Sequence, residues 1–149
     1  MNSESDSPEE SISADMRGTY TETVLNHAMN PRNAGSITDA DGFASITGPC
    51  GDTMEIWIKV KDGKIRNATF WTDGCGTTIA AGSMVTELAK GEGVVETQRI
   101  AQQDVLNALG GLPEESAHCA LLAANTLREA IRDYLAFKNE PWKKAYRKR

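Results

Sequence analysis

The dipeptide Asp62-Gly63 stands between two runs of alternating apolar residues, and it limits the folds open to this chain more than any other feature. Asp-Gly is the preferred filling of a two-residue hairpin turn, because both positions need a positive φ. Before it, Met54, Ile56, Ile58 and Val60 alternate with Glu55, Trp57 and Lys59, the period of a half-buried strand. After it, "IRNATFWT" reads as the return strand, and "FASITG" upstream as a third. Beyond Cys75 the period changes. "GTTIAAGSMVTELAKG" is rich in small residues and closes at Gly91, a helix C′ position. A shorter helix is expected over about residues 101–109, ended by Gly110-Gly111. A long one is expected from near Glu114 to about Phe137, with Ala123, Leu127, Ile131 and Leu135 on one stripe. Ahead of the strands, about 18–29 reads as a helix stopped before Pro31. Strands first and helices afterwards predict an α+β domain: a small three-stranded antiparallel sheet with helices packed on one face.

A chain of 149 residues suits one such domain, able to bury a core without disulfide staples. The expected organisation is a disordered acidic head over 1–17, the domain over 18–137 and a basic tail over 138–149. The net charge of −5 conceals this gradient. Residues 1–15 carry five acids and no base, whereas 138–149 carry six bases and one acid. An acidic body argues against nucleic acid as a partner. No run is apolar enough for a membrane span, and the polar N-terminus has no h-region of a signal peptide. The reading is a soluble cytoplasmic protein. Three cysteines cannot all pair within the chain, which favours a reducing compartment over a secreted disulfide framework.

Those cysteines mark the chemistry. Cys50 lies in "TGPCGDTM", two residues before Asp52; Cys75 lies where the last strand gives way to a helix; Cys119 follows His118 in the first turn of the long helix. All three are element ends. If the ends converge, three thiols, an imidazole and a carboxylate share a pocket. A helix N-terminus favours thiolate at Cys75 and Cys119. The glycines of "GPCGD" and "GCG" are expected to leave amides free to donate to sulfur or an anion. Thiolate and imidazole together suit zinc, copper or iron–sulfur clusters. No C-x-x-C is present, and the gaps of 25 and 44 residues make any such site depend on the folded domain. A site of three Cys with Asp or His holds a cluster less tightly than four Cys. Taken singly, each cysteine is most simply a small buried hydrophobe, His118 a hydrogen-bonded histidine and Asp52 a turn residue.

"NPRNAGS", "GPCGD", "DGCGTTIAAGSMVTE" and "HCALLAANTLREAI" occur in the order and near the spacing of the U-type iron–sulfur cluster scaffold family. That family includes IscU and the N-terminal domain of NifU, and the resemblance covers about residues 20–135. It implies a scaffold, not an enzyme. Such a protein takes persulfide sulfur from a cysteine desulfurase of the IscS or NifS type. It combines that sulfur with iron into a labile [2Fe–2S] cluster and passes the cluster to apo-proteins. Carried over, Cys50, Cys75 and Cys119 are the cluster thiolates. Asp52 is the carboxylate that keeps the cluster labile, His118 a neighbouring ligand, and Cys119 the persulfide acceptor. Without a cluster the same groups suit zinc. A cluster bridging two copies and one held in a single copy both fit.

The chain departs from the pattern before the His-Cys pair. Scaffolds of the assembly operon carry Leu-Pro-Pro-Val-Lys there, the site of a dedicated Hsp70-type chaperone, whereas Leu112 to Ser116 reads "LPEES". Chaperone-assisted release is therefore not expected. The expectation is a stand-alone form, without the further domains of full NifU. A zinc-binding sulfur acceptor for a desulfurase is the alternative. A cysteine hydrolase ranks last. Its base would be the adjacent His118, which should not share a helix face with Cys119, or the distant His27.

Overall fold

The computed structural model describes residues 19–140. The acidic head and residues 141–149 of the basic tail lie outside the described residues. Helix α1 (Glu22–Met29) is followed by strands β1 (Gly42–Thr47), β2 (Thr53–Lys61) and β3 (Lys64–Thr72). Then come α2 (Gly76–Ala89), the single turn α3 (Val94–Thr97), α4 (Gln102–Leu109), a 3₁₀ turn (Glu114–Ser116) and α5 (Ala117–Asn139). The strands form one antiparallel sheet in the order β1-β2-β3. This is the α+β architecture expected from the sequence.

The hairpin between β2 and β3 turns through Asp62 at φ 56° and Gly63 at φ 75°, the two positive angles that the Asp-Gly pair foretold. The register pairs Glu55 with Trp71 and Ile56 with Phe70, with a bulge between Lys59 and Val60. Alternation therefore sorts the side chains. Ala44, Met54, Ile56, Ile58, Ala68 and Phe70 face the helices and are buried. Helix α5 lies against β1 and β2, while α2 packs on β3, α1 and α5. Surrounded in this way, α2 buries residues all round its circumference, which explains its run of small side chains.

Several element ends differ from expectation. Helix α1 begins at Glu22 and not at 18, because the Thr21 side chain accepts from the Val24 amide and caps it there. Helix α5 begins at Ala117; the expected start near Glu114 is a 3₁₀ turn that leads into it. It runs to Asn139, two residues past the expected end. The turn α3 was not foreseen; four residues are too few for a periodic signal. Among the described residues no helix is long and apolar enough to cross a membrane.

Candidate metal centre

Cys50 sits in the link between β1 and β2. Gly48-Pro49-Cys50-Gly51 is a β-turn in which the Gly51 amide donates to the Gly48 carbonyl at 3.0 Å. Proline at the second position favours such a turn. Gly51 then adopts φ +95°, a conformation that suits glycine, and the Gly48 amide reaches the Asp52 carbonyl at 2.8 Å. The Cys50 thiol is thereby exposed at the loop tip, two residues before Asp52.

Cys75 is the N-cap of α2, with extended backbone angles. Its thiol is exposed. Burial pushes the Cys75 pKa up, but hydrogen bonds from the hydroxyls and amides of Thr77 and Thr78 outweigh it, and the net effect is a lowered pKa. These amides are among the N–H groups that a helix leaves unpaired at its start. The sulfur thus meets helix amides and not the glycine amides of the Cys50 turn, which the sequence reading expects to be free. The turn consumes those amides itself.

Cys119 occupies the third position of α5 and is only 2% exposed, packed into the hydrophobic core. Its Sγ lies 3.5 Å from Thr77 Oγ1 and 3.4 Å from Thr78 Oγ1. Thr77 Oγ1 is 3.2 Å and Thr78 Oγ1 3.9 Å from Cys75 Sγ. Two threonine hydroxyls therefore stand between the two thiols. Thr78 also donates to Asp52 Oδ2 at 3.1 Å, which ties the β1–β2 link to the start of α2. This close approach needs Gly74: a Cβ there would lie 2.6 Å from Thr78 Cβ and 2.8 Å from Asp52 Oδ2. His118 turns its Nε2 to within 3.8 Å of Cys119 Sγ. Sequence reasoning has adjacent residues on a helix diverge. In the first turn, however, the imidazole is long enough to fold back over its neighbour.

Asp52, Cys75, His118 and Cys119 are thus joined in one chain of contacts through Thr77 and Thr78. Cys50 lies outside that chain, on the same link as Asp52. Among the described residues, no three His, Cys, Asp or Glu side chains stand close enough together to hold a metal ion as they are. The threonine hydroxyls fill the space between the thiols. Sequence reasoning missed both threonines. Their only signal was position, as the second and third residues of a helix capped by cysteine. The donor types, three thiols with one imidazole and one carboxylate, suit a thiophilic metal or an iron–sulfur cluster.

Comparison with known proteins places the chain. The family described as NifU-like N terminal domain matches residues 19–141. The iron-sulfur cluster assembly scaffold protein IscU 1 of Archaeoglobus fulgidus is 50% identical over 116 residues, covering 77% of this chain and 76% of that protein. The protein of Escherichia coli K12 named iron-sulfur cluster assembly scaffold protein IscU is 43% identical over 120 residues, covering 77% of this chain and 93% of its own length. Among solved structures, the NifU-like protein (N-terminal) of Brucella abortus superposes with a TM-score of 0.62 at 19% identity, over 78% of this chain and 94% of that one. A putative scaffold protein for the SUF system from Fervidobacterium islandicum superposes with a TM-score of 0.61 at 20% identity, over 75% and 96%. At these identities the two structures speak for the fold.

Proposed function

Since the chain belongs to the NifU-like N-terminal domain family, we propose that it is a scaffold on which an iron–sulfur cluster is assembled and from which it is handed on. It is a carrier and not an enzyme. Its cargo is iron and sulfur, built as [2Fe–2S]. A cysteine desulfurase supplies the sulfur and apo-proteins receive the product, in the cytoplasm. The observation that carries this reading is the chain of contacts joining Asp52, Cys75, His118 and Cys119 at the ends of three elements, with the Cys50 turn beside it.

The thiolates of Cys50, Cys75 and Cys119 are the ligands in this reading, with Asp52 and His118 as candidates for the remaining position. Zinc suits the same donors when no cluster is present. Cys119 is the persulfide acceptor: its thiolate attacks the outer sulfur of the desulfurase persulfide, one S–S bond forms, and the desulfurase thiolate leaves. Because Cys119 is buried behind Thr77 and Thr78, the first turn of α2 must open before sulfur arrives. Carboxylate ligation at Asp52 leaves the cluster more labile than a fourth thiolate would, as transfer requires. "LPEES" in place of the chaperone-binding stretch implies that release does not depend on that chaperone.

The test is anaerobic incubation with ferrous iron, cysteine and a cysteine desulfurase, followed by the visible spectrum. Charge-transfer bands are expected in the parent and are bleached in Cys50→Ala, Cys75→Ala and Cys119→Ala. A parent without bands, holding zinc and carrying persulfide on one cysteine, would overturn the scaffold in favour of the sulfur acceptor.

A further inference from the structure

The sheet face turned away from the helices carries aromatic residues that the proposed scaffold chemistry does not use. Phe43 and Trp57 are Cα partners across β1 and β2, and their ring centroids are 5.2 Å apart. Trp57 is only 8% exposed, whereas Trp71 on β3 is 47% exposed. Between the two tryptophans opens a cleft of about 430 Å³, lined by Gly35, Ser36, Glu55, Trp57 and Trp71. One rim is fixed by the backbone: the Gly35 amide donates to the Phe70 carbonyl at 2.9 Å, which holds the Gly35–Ser36 segment beside β3. Glu55 is the Cα partner of Trp71, so the carboxylate and the exposed indole are held side by side by the sheet register.

The charges on this face are unbalanced. Among the described residues, Glu55 has neither an ion pair nor a hydrogen-bonded side-chain partner. No residue lining the cleft is cationic. Lys59, two positions beyond Trp57 on the same strand face, is already engaged. Its Nζ donates to the Asp39 carbonyl at 2.7 Å and lies 3.8 Å from the Asp41 carboxylate. Two indoles and an unpaired carboxylate complement a cation. A guanidinium suits them best, because its plane stacks on an indole while its N–H fork pairs with a carboxylate. Trp71 stays open to solvent, so the cleft is accessible to a side chain presented from another protein's surface.

We propose that the cleft between Trp57 and Trp71 is a docking site for an arginine side chain carried by a partner protein, with Glu55 as its counter-ion. None of the cysteines lines the cleft, and the proposal does not depend on their role.

The experiment titrates the blocked peptide acetyl-Gly-Arg-Gly-amide into the full chain and follows the indole N–H resonances by NMR. Trp142 serves as the internal control. Saturable shifts at Trp57 and Trp71 are expected, with affinity at least about fivefold weaker for the citrulline peptide, which is uncharged. Trp71→Ala and Glu55→Gln should each weaken binding by roughly fivefold or more. Both side chains are partly or largely exposed, so their loss leaves the fold intact, which a denaturation curve verifies. Equal response to citrulline, or binding unchanged in both variants, would overturn the proposal. So would a shift of the Trp71 resonance in an Arg147→Gln, Arg149→Gln chain before any peptide is added, since the occupant would then be this chain's own tail.

Discussion

Thr78 donates its hydroxyl to Asp52 Oδ2 at 3.1 Å, and the same hydroxyl oxygen lies 3.4 Å from Cys119 Sγ. One neutral side chain thus restrains the carboxylate and screens the buried thiol. Thr78→Val keeps the shape and removes the hydroxyl. Asp52, which is only partly buried, then turns to water, and the loss to stability is about 1 kcal/mol in urea denaturation. The larger effect is on uptake. With the tether gone, the Asp52 link moves freely, and zinc or cluster loading becomes faster in a stopped-flow absorbance experiment. Loading no faster than in the parent would show that the tether restrains nothing relevant.

Gly74 makes that tether possible. In Gly74→Ala the new methyl would press on both Thr78 and Asp52. Overpacking of this kind costs about 1–3 kcal/mol and separates the β1–β2 link from α2. The expected result is a lower urea midpoint together with loss of zinc retention. The double variant Gly74→Ala, Thr78→Ala recovers little of the stability, because it removes the hydroxyl contact at 2.7 Å but keeps Thr78 Cβ, the nearest contact at 2.6 Å.

Exposure sorts the three thiols. Cys50 and Cys75 are open to solvent and Cys119 is buried. At fixed pH in the native, metal-free protein, iodoacetamide should label Cys50 and Cys75 first. Cys119 should follow at least about tenfold more slowly, since local opening must precede its reaction. Thr77→Ala shortens that delay by removing a hydroxyl in contact with the sulfur. Peptide mass spectrometry reads all three rates at once.

His27 gives the fold a dependence on pH. Its Nδ1 lies 2.7 Å from Ser83 Oγ, which also accepts the Arg32 amide at 2.9 Å, and this joins α1 to α2. Burial lowers the His27 pKa below the usual 6.5, the Arg32 charge lowers it further, and Glu87 opposes both. The unfolded chain therefore takes up this proton more readily than the native one. The stabilisation is complete above 6.5 and is lost as pH falls from there through the native-state value. The variant His27→Gln has no imidazole to protonate, so its stability should differ less than the parent's between a mildly alkaline and a mildly acidic buffer. An unchanged difference would assign the acid sensitivity to other groups.

Local chemistry was enough to place much of this molecule. The Asp62-Gly63 hairpin, the strand alternation around Ile56 and the helix stop at Gly110 all follow from residue types acting on their own neighbours. Helix starts were read less well, because Thr21 and the Glu114–Ser116 turn set them through capping geometry rather than periodicity. The thiol-bearing turns, and the family they resemble, were likewise legible, since motif order is a property of the chain itself.

The sequence alone therefore determined the three strands and the longer helices, with Cys50 in the link between two strands and Cys75 and Cys119 at helix starts. Tertiary structure alone decided that Cys119 is buried while Cys75 is open, that His118 folds back over its neighbour, and that Trp57 is covered while Trp71 is not. The reason is physical. Thr78 meets Asp52 across 26 residues and Cys119 across 41, and such pairs arise only when α2 packs between β3 and α5. Periodicity says which face of an element is apolar; it does not say which distant side chain will be pressed against it.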